Sequence, residues 1–339
     1  MTDKTKLTEI MTGLGMMGGD DFRSTLPARP TELRHVDDAT WESVVEGWSS
    51  DVLAAIADTS FANGRFFLDA TDALRGRRPR LIEWVGPRRS PGDEVAPIDL
   101  RIDHVYLVSC KYLSSITVNA SPAHVFDRLL TGGHGRRSGD WYGEIAPSEH
   151  QQLWAQSRAW LDDDALPVAV GELTKDQRRA TAKALTFRSW PVELRVAQET
   201  FCAAVADRSA TRWRAAIADA GTNTAEAMLW RLLRIGSAPY FVLGVHGSDS
   251  LRLRVASPWD WRQEFRFRRL EVDALDRGQP TVRWRAIIDE IGPRPGAGER
   301  VIDGHVEIRW SHGRFCGPPE AKVYLDTPFD RVAGYWPLT

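Results

Sequence analysis

Asp99 and Lys111 stand twelve residues apart in neighbouring extended runs, Pro97-Ile98-Asp99-Leu100-Arg101 and Val108-Ser109-Cys110-Lys111-Tyr112. Of all the spacings in the chain this one is best suited to chemistry. A carboxylate at a strand start can hold a divalent cation, and an ammonium on the next strand can orient water or stabilise charge building on phosphorus. Lysine is scarce here, since only six of the 44 basic residues are lysine and the rest are arginine. A lysine inside an apolar strand therefore singles itself out, because a compact ammonium and a planar guanidinium are not interchangeable.

Strand parity sets a condition on the pair. Side chains alternate with period two, so Asp99 shares a face with Lys111 only if paired residue numbers sum to an even value. A hairpin with a three-residue loop at Asp103, His104 and Val105 meets the condition. A two-residue turn at Asp103-His104 would pair Asp99 with Val108 and send Lys111 to the opposite face. In that case Lys111 snorkels from a strand end and Asp99 pairs with an arginine.

An acidic residue closely following a proline on one strand, then a polar residue, any residue and lysine on the next, resembles the PD-(D/E)xK superfamily, the restriction-endonuclease-like nucleases. The resemblance covers residues 40 to 130 and implies a mixed sheet flanked by helices. It also implies a catalytic set of Asp99, Ser109 and Lys111, with Mg²⁺ or Mn²⁺ on Asp99. Ser109 stands where the motif has its second acid, so another carboxylate has to come from elsewhere. Glu46, on the helix preceding the strands, is the favoured helper and second metal ligand, ahead of Glu42, Glu83 and Asp103. A second string, Pro319-Glu320-Ala321-Lys322 with Asp303 upstream, matches E-x-K as text and forms an alternative site of Asp303, Glu320 and Lys322.

Two basic segments are candidates for nucleic-acid contact. Arg309, His312 and Arg314 in RWSHGRF sit at an expected hairpin tip, and guanidinium forks suit phosphate and guanine. Arg136 and Arg137 lie in the glycine-rich loop TGGHGRRSGD with His134. The plain alternatives are a polar turn and a solvated loop.

These residues need elements to hold them. Residues 1–37 carry Gly13, Gly15, Gly18, Gly19, Pro27 and Pro30 without clear periodicity and are expected to be an irregular arm. From Asp38, Trp41, Val44, Val45, Trp48, Val52, Leu53 and Ile56 fall at helical spacing. LIEWVG, EVAPIDLRI and HVYLVSCKYLSSITVN then read as three strands, and Ser121-Pro122 opens a helix. The expected first domain is 38–165. Residues 166–339 form a helical connector followed by short strands, such as SLRLRVAS and TVRWRAIID, that alternate apolar residues with arginine, the pattern of an antiparallel sheet with one wet face. The fold class is α/β in the α+β sense: a mixed sheet flanked by helices, then a helical and antiparallel-sheet domain.

With 339 residues, 42% hydrophobic and 27% charged, the chain has the profile of a globular protein. No apolar run is long enough to span a bilayer, which argues against a membrane partner, and the start lacks a signal-peptide core. Three distant cysteines form no CxxC pair, so a cytoplasmic location is expected. The net charge of −2 gives bulk charge no say over a polyanionic partner. There is no GxxxxGK[ST], GxGxxG after a strand, HExxH or GxSxG. The leading expectation is a metal-dependent endonuclease hydrolysing DNA, with RNA open on the same chemistry, and the superfamily implies a restriction or phage-defence role. The rival is a non-catalytic nuclease-fold subunit that docks nucleic acid or a protein partner within a defence or DNA-processing complex.

Overall fold

The structure is a computed structural model that describes residues 3–48, 51–86, 98–112, 116–131, 139–246, 249–291 and 298–339. It divides into two compact units, and the chain passes between them more than once. The first unit opens with α1 (Asp3–Gly15), α2 (Phe22–Ala28), β1 (Leu33–Arg34), α3 (Asp38–Gly47), α4 (Asp51–Asp69), β2 (Ile82–Trp84), β3 (Leu100–Ile102) and β4 (Tyr106–Tyr112). The second follows with β5 (Ile116–Ala120), α5 (Leu129–Thr131), α6 (Trp141–Ile145), α7 (Pro147–Leu161), α8 (Lys175–Ala184), α9 (Val192–Ala220) and α10 (Thr222–Leu232). The first resumes with β6 (Tyr240–His246), β7 (Asp249–Val255) and α11 (Pro258–Glu264). The second then adds β8 (Phe265–Asp276), β9 (Pro280–Glu290), β10 (Glu299–Arg309) and β11 (Glu320–Leu325), and β12 (Tyr335–Pro337) returns to the first.

The first unit is built on a seven-stranded mixed sheet of order β1-β2-β3-β4-β6-β7-β12. β2, β3 and β4 form an antiparallel meander, and β6 lies parallel to β4. Leu100 pairs with Val108 and Ile102 with Tyr106, so the even-sum register holds and the loop is Asp103-His104-Val105. Asp103 and His104 take positive φ, 49° and 58°. The Asp103 Oδ1 accepts from the backbone N–H groups of Arg80 (2.9 Å) and Leu81 (2.8 Å), which pins the hairpin tip to the chain entering β2.

α1 is the central helix of this unit. Residues 7–16 are all buried, so beyond its first turn the helix has no wet face and no amphipathic stripe. Its threonines turn their hydroxyls back on the preceding turn, Thr8 to Lys4 O at 2.8 Å and Thr12 to Thr8 O at 2.7 Å, which removes two otherwise orphaned donors. α1 crosses α4 at backbone contact. A Cβ at Gly64 would stand 2.0 Å from Thr12 O and one at Gly15 2.1 Å from Phe61 O, so only glycine fits at either position. Residues 1–37 are thus not an irregular arm: α1 and α2 place Leu7, Ile10, Met11, Leu14, Phe22 and Leu26 in the core with Ile82, Leu100, Ile102 and Val108.

The second unit holds a separate antiparallel sheet of order β5-β11-β10-β9-β8, on which the 29-residue α9 packs. Ile302, Val306 and Ile308 of β10 are buried, whereas Asp303, Glu307 and Arg309 alternate onto a polar face. That face carries Arg283–Asp273 (2.7 Å) and Arg285–Asp303 (2.8 Å) ion pairs, which is the expected wet face.

Several expected boundaries move. The run HVYLVSCKYLSSITVN is not one strand, because β4 stays in the first sheet while β5 pairs with β11 in the second. The helix expected after it begins with Ser121 accepting from the His124 N–H at 3.3 Å, continues as a π-helical turn at His124–Arg128, and belongs to the second unit. The second unit therefore starts at Ile116 rather than 166, and β6 and β7, with Arg252 and Arg254, extend the first sheet. The 41–57 helix is two, with α3 capped by Asp37, whose side chain accepts from the Thr40 N–H at 2.7 Å. Among the described residues no helix is long and apolar enough to cross a membrane.

Candidate active site

Asp99 lies just before β3, and its backbone leaves the ladder. Its N–H donates to Val108 O at 2.9 Å while its C=O accepts from the Val85 N–H, so the amide and carbonyl bond to opposite neighbours. In a regular antiparallel strand both would point to the same side. The carboxylate is thereby laid against β4, where Oδ2 accepts the Cys110 N–H at 2.7 Å and the Ser109 hydroxyl at 3.2 Å. Ser109 is fully buried, and its role visible here is to hold Asp99. Lys111, half-buried, follows two residues on, opposite Gly244 of β6. A Cβ at Gly244 would come within 2.1 Å of Lys111 O, so a glycine lets the parallel strand close up beside the lysine.

The carboxylate that accompanies Asp99 is Glu9, on α1. It is 3% exposed, and its Oε2 accepts the Trp84 indole N–H at 2.6 Å. Burial, and then the negative charge of Asp99, push its carboxyl up to about 8, while the Trp84 hydrogen bond and the positive charge of Lys111 pull the other way. A carboxyl sunk in an all-buried helix is costly to ionise and is rarely kept for packing alone. Cys110 projects toward α1, where its thiol meets Thr12, and burial with the Asp99 and Glu9 charges pushes it well up. The charges of Asp99 and Lys111 both reach Glu9, although Cys110 rather than Lys111 is the β4 residue that projects toward α1.

Glu46, the expected second acid, is exposed near the end of α3, and Glu9 is the acid on which the Asp99 charge acts. Asp103 is committed to the hairpin tip, and Glu83 lies 3.4 Å from His104. The alternative set does not converge. Lys322 faces Glu307, four residues along β10 from Asp303, about 13 Å by strand rise. Asp303 is paired with Arg285, and Glu320 accepts from the Ser311 hydroxyl. Among the described residues no cluster of three or more His, Cys, Asp or Glu side chains forms a ready metal site. Mg²⁺ keeps several waters and takes one or two protein carboxylates together with substrate phosphate, so it does not require a cluster of three.

Of the basic candidates, Arg309 pairs with Glu307 at 3.3 Å and His312 is exposed. Arg314 donates to Leu185 O (2.5 Å) and Phe187 O (3.1 Å) and lies over the Phe187 and Trp190 rings. Arg136 and Arg137 lie outside the described residues. Sequence reasoning does not reach Glu9: Leu7, Ile10, Met11 and Leu14 fall at helical spacing, but the burial of residues 7–16 on every side leaves no polar stripe to set against them. No protein-family model matches the chain, and no curated protein or solved structure matches it at a significant level.

Proposed function

We propose that the first unit is a metal-dependent nuclease of the PD-(D/E)xK type that hydrolyses phosphodiester bonds of DNA in the cytoplasm. One observation carries the reading. Asp99, just outside the paired residues of the β3–β4 hairpin, accepts from Ser109 and Cys110, two residues from Lys111, and its charge acts on Glu9 of α1. The antiparallel meander and the parallel β6 also agree with a mixed sheet carrying this motif.

Asp99 and Glu9 are the residues that would hold Mg²⁺ or Mn²⁺, which when bound supplies Lewis-acid stabilisation of a phosphate oxygen and a more acidic water. Ser109 and the Cys110 N–H fix the Asp99 carboxylate, and the Trp84 indole fixes Glu9. Lys111 can donate to a phosphate oxygen or to water but, while protonated, cannot ligate a cation. In this arrangement Ser109 orients an acid rather than replacing one.

A second reading has its own observation. With Oδ2 of Asp99 bonded to protein donors and Glu9 protonated near neutrality, the site also suits a nuclease-fold subunit that docks DNA or a protein partner without cutting. Incubation of the full chain with supercoiled plasmid and labelled oligonucleotides in Mg²⁺ or Mn²⁺ separates the two. Cleavage that is abolished by Asp99→Ala and slowed by Lys111→Ala supports the enzyme. Absence of metal-dependent cleavage of any DNA or RNA, alone or with proteins that copurify, selects the docking subunit.

A further inference from the structure

Within the second unit, α9, the segment after α8, the β8–β9 turn and the RWSHGRF loop enclose a cavity of about 470 Å³. That lies in the range of small-molecule sites, roughly 300–1,000 Å³. Its lining is unusual in sign: it includes Arg188, Arg314 and Arg309, the last paired with Glu307 at 3.3 Å, and not one aspartate or glutamate, in a chain whose net charge is −2. Its lining is rich in aromatic side chains, with Tyr142 and Phe201 buried behind it and Phe187, Trp190 and Trp310 partly exposed.

The fold builds this arrangement deliberately. Gly313, at φ 99°, lets the loop close on α8, where a Cβ would stand 2.8 Å from that of Ala182. The next residue, Arg314, is thereby set over Phe187 at 4.1 Å and Trp190 at 4.5 Å. Its guanidinium bonds only to carbonyl oxygens and rings among the described residues, so its charge is desolvated without a carboxylate to offset it. Arg188 is exposed and makes no ion pair among the described residues. Gln198 steadies the floor, donating to Gly278 O at 2.7 Å.

Uncompensated guanidinium charge selects an anion, and several aromatic rings select a flat ring to stack on them. We propose that this cavity binds a nucleotide, its base against the aromatic wall and its phosphate at Arg188 under the field of Arg314. The occupant is either a free mononucleotide or one nucleotide of a single strand. The proposal goes beyond the nuclease reading and stands on different residues in the other unit, so either can fail alone.

Calorimetric titration of the full chain with AMP, GMP, adenosine, inorganic phosphate, benzoate and a single-stranded oligonucleotide tests it. The expected result is saturable one-to-one binding of AMP or GMP, with adenosine, phosphate and benzoate each at least about tenfold weaker. Arg188→Ala and Trp190→Leu should each weaken binding by about tenfold or more while circular dichroism stays unchanged. Binding of the oligonucleotide alone, with the same loss in both variants, assigns the site to a strand; binding of mononucleotides alone assigns it to free nucleotides. No saturation by any nucleotide or oligonucleotide at about 5 mM, equal affinity for inorganic phosphate, or affinity unchanged in both variants overturns the proposal.

Discussion

Replacing Glu9 by glutamine should change how stability depends on pH, and the structure sets the sign. Burial and the Asp99 charge hold the Glu9 carboxyl at about 8 rather than 4.5, so between those values the folded chain binds a proton that the unfolded chain has released. Stability therefore falls as pH rises through that window, by up to about 1.4 kcal/mol per pH unit and on the order of 5 kcal/mol in all. Glutamine keeps an acceptor for the Trp84 indole N–H and cannot ionise. Glu9→Gln should match the wild type near pH 5 and exceed it by several kcal/mol near pH 8.5. A chain of two units need not unfold in one step, so the assay is native-state hydrogen exchange of the α1 and β3–β4 amides in metal-free buffer. Parallel pH profiles for the two proteins would refute the buried, proton-holding Glu9.

Other parts of the structure make separate commitments. Gly64→Ala drives a Cβ to 2.0 Å from Thr12 O and should cost about 3 kcal/mol or more, read by the same exchange experiment. His150 is 3% exposed, stacked on Phe315 and Phe201, with neither ring nitrogen hydrogen-bonded among the described residues, and burial foremost pulls it down to about 4. A histidine lowered in the fold loses stability as pH falls from about 6.5 to 4; His150→Phe should remove that slope, seen as equal opening free energies of the α7 amides at pH 5 and pH 7 once intrinsic exchange is divided out. Burial pushes the Cys110 thiol well up and that of Cys202 up to about 12, so brief iodoacetamide treatment at pH 8 should label Cys316 first by peptide mass mapping.

The hairpin was legible in the sequence because its information is local. Two polar residues, a short loop and period-two alternation were enough to state the parity condition, and the Leu100–Val108 register meets it. The same logic failed for α1. A helix buried on every side has no polar stripe to read, and Gly13 and Gly15 look like breakers when they are points of close approach to the sheet and to α4. Sheet membership was illegible for a different reason. Leu251-Arg252-Leu253-Arg254 and Phe265-Arg266-Phe267 alternate alike, yet β7 and β8 belong to different sheets, since alternation reports a half-buried strand and says nothing of its neighbour. The fate of Arg314, spread over two rings rather than offered to solvent, depends on Phe187 and Trp190 more than a hundred residues away.

The central claim is that Asp99 and Glu9 act on one cation beside Lys111, and Mn²⁺ binding followed by electron paramagnetic resonance tests it most directly. Titration of the full chain at pH 8 should give one saturable ion per molecule in the first unit, lost in Asp99→Ala, weakened about tenfold or more in Glu9→Gln and nearly unchanged in Glu46→Gln. Binding that survives Asp99→Ala, or that depends on Glu46 and not on Glu9, would contradict the account.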